Sequence, residues 1–313
     1  MGSYLVTGGC GFIGSHLVDA LWRRGHNVRI IDDLSTGKLA HKPPAVEFIR
    51  GDIAEPSIVT EAMRGVDGCF HLAAVASVER GNSDWLGTHR TNLTGTLTVF
   101  NAARGTNPEK PVPIVFASSA AVYGANANIP LSEKDVPRPL SAYGADKLGC
   151  ELYGTVAGHV HRVPSCGLRL FNVYGPRQDS TSPYSGVICI FCDRLKAGPE
   201  ITVYGDGRQT RDFIYVGDVI RGLLMAMEHC SPAGDIFNIC TGVATAIRDL
   251  AKIIGDILGI KPDMSFAPSR PGDIYTSLGN PSKAWRSLGF AAETGLIAGL
   301  ERTLAAGRKL TAR

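Results

Sequence analysis

Tyr143 and Lys147 are the residues whose types and spacing most directly suggest chemistry. They stand four apart in Tyr143-Gly-Ala-Asp-Lys147, and residues four apart share one face of a helix. A phenol is a poor base at neutral pH, but an adjacent ammonium and a second nearby cation would favour the phenolate. Tyr143 could then take a proton from an alcohol while a hydride leaves the same carbon. Both residues are therefore candidate catalytic groups.

Ser119 is the third candidate, because it ends the apolar run Val115-Phe116-Ala117-Ser118-Ser119. Such a run is typical of a buried strand, here ending in two hydroxyl groups. Ser119 could bridge a substrate oxygen and the Tyr143 phenol, and its simpler alternative role is to cap the strand end. Because the spacing Y-x-x-x-K is common by chance, the catalytic interpretation depends on what precedes it in the chain.

Gly8, Gly11 and Gly14 form a G-x-x-G-x-x-G turn between a predicted strand and a predicted helix. In a dinucleotide-binding turn the first glycine permits the tight turn and the second lets the backbone approach a pyrophosphate. The third lets helix and strand pack closely, and the free N–H groups of the helix start face the phosphates. The strand–turn–helix context therefore favours a dinucleotide site over an ordinary glycine turn.

Asp32 ends the next predicted strand, Asn27–Asp32. A carboxylate at this position accepts hydrogen bonds from the adenosine ribose hydroxyls of a dinucleotide. It would repel a 2′-phosphate, and the residue that follows is Asp33 rather than an arginine. The sequence therefore predicts NAD as the cofactor in preference to NADP.

Alternating strands and helices must position these residues. The predicted strands are Tyr4–Thr7, Asn27–Asp32, Val46–Arg50, Gly68–Leu72 and Val112–Ala117, and a helix over Phe12–Arg24 stops at Gly25. The order predicts an α/β fold, with a Rossmann-type doubly wound parallel sheet and a smaller C-terminal α/β substrate-binding lobe. We expect residues 1–170 to form the NAD-binding domain, with Asp212–Val216 and Ile236–Ile239 returning to its sheet near 212–240. Residues 171–313 would mainly form the substrate lobe, with helices near 247–258.

Composition excludes several classes of protein. Of the 313 residues 44% are hydrophobic and 19% charged, and the formal charge is +3, too small to favour nucleic acid. No run approaches the ~20 apolar residues of a membrane span, and no signal-peptide pattern opens the chain. The eight cysteines lack a disulfide-scaffold spacing, and we interpret Cys189 and Cys192 as two thiols on an apolar helix face. We expect a cytoplasmic enzyme without metal, nucleic-acid or membrane partners.

A set of motifs along nearly the whole chain resembles the extended short-chain dehydrogenase/reductases, and within them the UDP-glucose 4-epimerases. In chain order the motifs are Thr7–Gly14, Asp32–Gly37, Gly51–Ile53, His71–Ala74, Asn92–Thr96, Ser118–Gly124, Leu168–Pro176 and Gly207–Tyr215. As an ordered set they are highly specific for that family.

The resemblance implies roles for residues at matching positions. Ser119, Tyr143 and Lys147 match the catalytic triad. Asp52 and Ile53 should flank the adenine, and a lysine of some epimerases is absent because Ala76 stands in its place. The implied cofactor residues are Gly8, Gly11, Phe12, Ile13, Gly14, Asp32, Asp33, Ser35, Thr36, Gly37, Asp52, Ile53, Leu72, Ala73, Ala74, Ala76, Asn92, Tyr143, Lys147, Phe171 and Val173. The implied substrate residues are Ser119, Tyr143, Asn172, Val187, Tyr204, Arg211, Arg270, Asp273 and Ser277.

The expected reaction is reversible inversion at C4 of a UDP-hexose through a transient 4-keto sugar, with NAD tightly bound. Related dehydratases and decarboxylases keep an acidic residue just after the catalytic hydroxyl, whereas this chain has Ala120-Ala121. Ser277 matches a gate position where tyrosine excludes 2-acetamido sugars. We therefore expect UDP-Glc and UDP-Gal, and also UDP-GlcNAc and UDP-GalNAc, as substrates.

Three alternatives stay open on the sequence. A UDP-glucuronic acid 4-epimerase would need a cation for the carboxylate, and Arg177 is the nearby one. A sugar-nucleotide reductase would release reduced cofactor on each turn, and an NAD-sensing protein of the same fold would have no activity. The resemblance also implies a homodimer, formed by helices near 88–104 and 142–158 whose outer faces carry Leu97, Leu152 and Ala157.

Overall fold

Strands and helices alternate through the first 170 residues, as the apolar pattern predicts. The structure, a computed structural model, describes residues 1–105, 109–179, 186–269 and 274–308. The strands of this part are β1 (Ser3–Thr7), β2 (Asn27–Asp32), β3 (Glu47–Arg50), β4 (Gly68–His71), β5 (Ile114–Ser119) and β6 (Ser165–Leu170). Its helices are α1 (Phe12–Arg23), α2 (Pro56–Ala62), α3 (Val78–Ser83), α4 (Trp85–His89), α5 (Gly95–Arg104) and α6 (Ala142–His161).

Shorter strands and helices follow residue 171. The strands are β7 (Asn172–Tyr174), β8 (Glu200–Tyr204), β9 (Thr210–Tyr215), β10 (Asp235–Ile239), β11 (Ala244–Ala246), β12 (Asp263–Ala267) and β13 (Thr276–Ser277). The helices are α7 (Val187–Ala197), α8 (Val216–Glu228), α9 (Ile247–Leu258), α10 (Ser282–Leu288) and α11 (Leu296–Arg308). Across the described ranges, none of the helices has both the length and the apolar character needed to cross a bilayer.

The main sheet of the described residues has the strand order β3-β2-β1-β4-β5-β6-β10, and every neighbouring pair is parallel. The order reverses direction between β1 and β4, because the chain first builds outward to β3 and then returns past β1. In open parallel sheets a ligand crevice forms at such a reversal, at the carboxyl ends of the strands. The predicted Rossmann-type α/β fold is confirmed.

One predicted strand return is wrong. The segment predicted as Asp212–Val216 is β9, which pairs with β7, β11 and β13 in a separate sheet. The return near Ile236–Ile239 does occur, since β10 lies beside β6 from Asp235↔Cys166 to Ile239↔Leu170. Both segments are short apolar runs in the sequence, so the local pattern does not distinguish the one that pairs with β6 from the one that joins another sheet.

The two lobes are not consecutive in the sequence. Val219, Ile239 and Leu288, from the second half of the chain, share one buried core with Val6 and Leu17 of the first half. Helices α8 and α10 and strand β10 therefore complete the cofactor lobe. The remaining C-terminal elements form their own core, which includes Phe191, Ile201, Leu250 and Leu300. The range 171–313 thus contributes to both lobes.

Helix α6 extends across the predicted range 142–158, but its predicted outer face needs one correction. Leu152 is 61% exposed, as expected, whereas Ala157 is only 6% exposed and packs in the core with Phe116. Five residues of helix turn through about 140°, so Leu152 and Ala157 cannot share a face. Leu97 on α5 is half-buried.

Candidate active site

A cleft of about 450 Å³ opens at the carboxyl ends of the central strands, where the strand order reverses. The structure brings together most of the predicted cofactor and catalytic residues around it. They are Gly8, Gly11, Phe12, Ile13, Gly14, Asp32, Asp33, Ser35, Thr36, Asp52, Ile53, Leu72, Ala73, Ala74, Ala76, Ser119, Tyr143, Lys147, Phe171 and Val173.

The glycine turn has the geometry that its spacing predicts. Gly8 has a φ of +68°, which L side chains rarely adopt, and a Cβ there would lie 2.7 Å from the Ala73 nitrogen. A Cβ on Gly14 would lie 2.1 Å from the Gly8 carbonyl oxygen, so only glycine lets α1 start this close to β1. Gly11 is the N-cap residue of α1. The first N–H groups of α1 have no partner within the helix, and they can bind a pyrophosphate.

Asp32 is held as an oriented acceptor at the end of β2. Its side chain is buried and accepts hydrogen bonds from the backbone N–H groups of Cys10, at 2.9 Å, and Leu34, at 2.8 Å. Burial raises the pKa of the Asp32 carboxyl, while these two hydrogen bonds oppose that rise. Carboxylate oxygens have further lone pairs for ribose hydroxyls, and the negative charge disfavours a 2′-phosphate.

Two predicted cofactor residues lie behind the cleft wall instead of lining it. The buried side chain of Asn92 accepts from the Val75 N–H, at 2.8 Å, and donates to the Val75 carbonyl, at 3.2 Å. Gly37 packs against Asp32, since a Cβ at Gly37 would lie 2.8 Å from its carboxylate oxygen. These residues therefore support the backbone and the carboxylate that line the cleft.

His71, at the end of β4, is neutral and structural. Thr96 donates its hydroxyl proton to the Asn92 carbonyl, at 2.5 Å, so it accepts from Nε2 of His71, at 2.9 Å. Nδ1 then accepts from the Thr7 hydroxyl, at 2.8 Å, and the Thr7 oxygen accepts from the Ala73 N–H. Burial, with a smaller contribution from the Lys147 charge, lowers the pKa of His71 to about 3. Through Thr7, the neutral imidazole therefore fixes the backbone at the floor of the cleft. It adds no second positive charge near Lys147.

The phenol and the ammonium come from the first two turns of α6. The Ser141 hydroxyl caps this helix by accepting from the Gly144 N–H at 3.1 Å. Lys147 is 4% exposed and donates from Nζ to the Ala117 carbonyl of β5 at 2.8 Å. The same Nζ lies 5.9 Å from the centroid of the Tyr143 ring. The helix thus presents both groups to the strand end that carries Ser119.

Ser119 caps the end of its strand and also lines the cleft. Its Oγ accepts from the Ala121 N–H at 3.1 Å and caps the 3₁₀ turn Ala120–Tyr123, and the residue also lines the cleft. The hydroxyl proton is not used by that bond, so it remains available for donation. A Cβ on Gly144 would lie 2.7 Å from the Ala121 carbonyl oxygen, so α6 starts in close contact with this turn.

Five of the predicted substrate residues lie in the second lobe, namely Asn172, Val187, Tyr204, Arg211 and Ser277. Asn172 is exposed on β7, which pairs with β9, and Ser277 on β13 is opposite Arg211 on β9. Val187 starts α7, and Tyr204 ends β8 with 41% of its surface exposed. These five residues do not line the cleft. Arg270 and Asp273 lie outside the described residues.

Several residues that line the cleft were missed by the sequence reasoning. They are Gly51, Val75, Arg80, Thr91, Ala117, Ser118, Leu170 and Gln178. Ala117, Ser118 and Leu170 lie at the ends of β5 and β6, so their strand-end positions could have identified them. Arg80 is different, because a half-buried arginine in α3 has no recognisable signal in the sequence. It brings a guanidinium to the same wall as Ala76.

The fold and the cleft together define a dinucleotide-dependent enzyme of the short-chain dehydrogenase/reductase class. A glycine turn and an acidic strand end form one side of the cleft, and a serine, a tyrosine and a lysine line the other. Residues 4–240 match the model of the NAD dependent epimerase/dehydratase family. The chain belongs to this family.

Known members are similar over almost the whole chain. A UDP-glucose 4-epimerase of Mycolicibacterium smegmatis is 35% identical over 306 residues, which cover 96% of each chain. The structure of the Thermus thermophilus UDP-glucose 4-epimerase complexed with NAD is 36% identical, with a TM-score of 0.89, covering 98% of this chain and 99% of that one. The UDP-N-acetylglucosamine 4-epimerase of Methanobrevibacter ruminantium M1, in complex with UDP-N-acetylmuramic acid, is 34% identical, with a TM-score of 0.93 and 99% of both chains covered.

Replacing Gly14 by alanine should remove bound cofactor. The added methyl would lie 2.1 Å from the Gly8 carbonyl oxygen, so the turn must open and the N–H groups of α1 must move. The measurement quantifies the NAD that heat denaturation releases from each protein. We expect a full complement from the wild type and almost none from Gly14→Ala. Gly198→Ala is the control, because a Cβ there meets nothing within 4 Å. A full complement of NAD in Gly14→Ala would contradict this role of the turn.

Proposed function

We propose that the protein is a UDP-hexose 4-epimerase with tightly bound NAD. It interconverts UDP-Glc and UDP-Gal, and also UDP-GlcNAc and UDP-GalNAc, through a transient 4-keto sugar. The observation that carries the proposal is that Ser119, Tyr143 and Lys147 all line one side of a cleft whose other side is the glycine turn. Similarity to UDP-sugar 4-epimerases over nearly the full chain supports it.

The residues of the cleft fit NAD. The α1 N–H groups would hold the pyrophosphate, Asp32 would accept from the adenosine ribose, and Asp52 and Ile53 would flank the adenine. Asp52 is itself fixed by its hydrogen bond from the Ala54 backbone N–H, at 2.8 Å, and by an ion pair with Arg90. When bound, NAD supplies the reversible acceptance of a hydride from C4 of the sugar.

The protein's own residues handle the proton. Tyr143 takes the proton of the sugar 4-hydroxyl, and Ser119 donates a hydrogen bond that orients the same oxygen. The Lys147 ammonium donates one of its three protons to the Ala117 carbonyl. The other two can then be donated to the Tyr143 phenolate and to a cofactor ribose. The proton returns to the sugar when the keto group is reduced from its other face, so the overall reaction is redox-neutral.

The side chains after Ser119 favour inversion over elimination or decarboxylation. Ala120 and Ala121 form the start of the 3₁₀ turn beside the cleft. Their methyl groups cannot transfer protons, whereas loss of water from the sugar needs a further acid and base next to the reacting carbons. We therefore propose that the chemistry ends with oxidation and re-reduction.

The second lobe would hold the nucleotide diphosphate. Arg211 offers a planar guanidinium to phosphate oxygens and lies opposite Ser277 in the β9–β13 pair. Asn172 is exposed on β7, which pairs with the same strand β9. We propose Val187, Tyr204, Arg270 and Asp273 as the remaining contacts.

Three alternative functions are less well supported. A uronic-acid epimerase would need a cation for the carboxylate, but Arg177 pairs with Asp19 at 2.7 Å. A complete Ser119, Tyr143 and Lys147 set in the cleft disfavours a non-catalytic NAD sensor. A reductase would change the absorbance of the nicotinamide with every turnover. A coupled assay of the purified protein with UDP-Gal, UDP-GlcNAc and UDP-glucuronic acid, without added NAD, separates these functions.

We also propose a homodimer in a reducing, cytoplasmic setting. Leu152, Val156 and Val160 repeat every four residues along α6 and are 61%, 48% and 60% exposed, so they form one apolar stripe. On the neighbouring helix α4, Trp85 and Leu86 are also exposed. The stripe suits packing against its own copy in a four-helix arrangement. Each of the eight cysteines, all within the described residues, is a thiol and not half of a disulfide, which supports the reducing compartment.

Tyr143→Phe should remove the activity while sparing the fold. Loss of the phenolic oxygen removes the proton acceptor, so we expect kcat for UDP-galactose to fall by about 100-fold or more. Tyr153→Phe on the same helix, where the ring is 42% exposed and lies outside the cleft, should keep wild-type kcat. Full epimerase activity in Tyr143→Phe would overturn the proposed function.

Ser277→Tyr should narrow the substrate range. Ser277 is 8% exposed beside Arg211, so a tyrosine there must extend into the neighbouring space, where we place the 2-acetamido group. We expect UDP-GlcNAc turnover to be lost and UDP-galactose turnover to be retained, measured in the same coupled assay. Equal loss of both substrates would refute the gate.

A charge in the α6 stripe should separate the dimer. Val156→Asp places a carboxylate in the centre of the proposed interface, where burial without a partner is costly. Sedimentation velocity should give a dimer for the wild type and a monomer for this variant. Val243→Asp, at a position 62% exposed and away from α6, is the matched control and should remain dimeric. A wild-type monomer would contradict the proposed assembly.

A further inference from the structure

A buried ion pair lies directly below the catalytic part of α6. Glu151 of α6 and Arg169 of β6 have side chains only 6% and 5% exposed. The guanidinium donates through Nε to Oε1 at 2.9 Å and through Nη2 to Oε2 at 2.7 Å. Two parallel hydrogen bonds of this kind fix both the distance and the orientation of the partners.

The pair is the centre of a network that joins several elements. On one side, the Ser118 hydroxyl of β5 donates to Glu151 Oε1. On the other side, the Arg169 guanidinium stacks over the Tyr123 ring with its Cζ 4.6 Å from the centroid. The Tyr123 hydroxyl then donates to Asn238 Oδ1 of β10 at 2.7 Å. Helix α6 is thus tied to three neighbouring strands of the main sheet and to the 3₁₀ turn.

Stability alone does not account for such a pair. Desolvating two charges costs so much that apolar residues of similar volume are often as stabilising as a buried ion pair. What apolar packing does not supply is a directional constraint on the helix. The network therefore calls for an explanation in terms of geometry.

The position of the pair along α6 supplies that explanation. Glu151 lies one helical turn after Lys147, about 6 Å along the axis. Lys147 bonds to the carbonyl of Ala117, and Ser118, the next residue of β5, bonds to Glu151. Helix α6 and strand β5 are therefore joined by two successive hydrogen bonds, one from the catalytic Lys147 and one to the buried Glu151.

The guanidinium also keeps the ammonium in place. An unpaired Glu151 carboxylate, one turn away on the same face, would attract Lys147 away from Ala117 and Tyr143. Arg169 satisfies both carboxylate oxygens and so removes that competition.

We propose that Glu151 and Arg169 are positioning residues, which hold α6 in the register that delivers Tyr143 and Lys147 to the cofactor cleft. They touch neither substrate nor cofactor. The inference rests on the proposed function for its kinetic readout, and it has a structural readout of its own.

The test replaces both charges together, as Glu151→Leu with Arg169→Met in one holoenzyme. Because no buried charge is left alone, we expect the melting temperature and the bound NAD to stay near those of the wild type. We expect kcat for UDP-galactose to fall by at least about tenfold with KM unchanged, because the catalytic groups are misplaced and the substrate contacts are not. A crystal structure should show Lys147 Nζ withdrawn from the Ala117 carbonyl.

Wild-type kcat in the double variant, with the Lys147–Ala117 bond intact, would overturn the inference. If the double variant does not fold, Arg169→Lys decides, since it keeps a cation beside Glu151 but loses the two parallel hydrogen bonds: a fall in kcat at constant KM supports positioning, and an unchanged kcat contradicts it. Lys252→Met is the control, because it removes a cation from an exposed pair with Asp249, at 3.4 Å on α9, and it should keep wild-type kcat. An inactive wild type would refute the proposed function instead, and the crystal structure would still test the inference.

Discussion

One hydrogen bond constrains the rest of this molecule: that from the buried Lys147 ammonium to the Ala117 carbonyl, at 2.8 Å. An ammonium removed from water is costly unless it is hydrogen-bonded, and this bond places the charge 5.9 Å from the Tyr143 ring centroid, at the end of β5. The proposed role of Tyr143 as a base requires a nearby cation, which favours the phenolate. The helix that carries both groups must therefore be held in a fixed register against the sheet.

Two features of the fold hold the helix in this register. The parallel sheet brings the carboxyl ends of its central strands to one edge, so the glycine turn after β1, Asp32 at the end of β2 and Ser119 at the end of β5 face the same cleft. Small residues and buried polar groups then set the close approaches. Gly144 lets α6 contact the turn after β5, and the neutral His71 fixes the cleft floor through hydroxyl groups.

Much of this arrangement could be predicted from the sequence, because strand ends and turns leave local signals. The spacing of Gly8, Gly11 and Gly14 predicted the turn, and Asp32 marked the end of β2. Contacts between distant segments leave no such signal. Strand β9 pairs with β7, β11 and β13, which come from distant parts of the chain. The burial of Ala157 depends on how α6 is rotated, and Glu151 meets Arg169 only after α6 and β6 have packed.

The most direct test of the central claim follows the hydrogen at C4. UDP-galactose deuterated at C4 is incubated with the purified protein in ordinary water, without added NAD, and the UDP-glucose formed is examined by NMR. If the hydride leaves and returns within one cleft while Tyr143 handles only the hydroxyl proton, the deuterium remains at C4 of the product. Loss of the deuterium to water, or a reaction that proceeds only with added NAD, would contradict this mechanism.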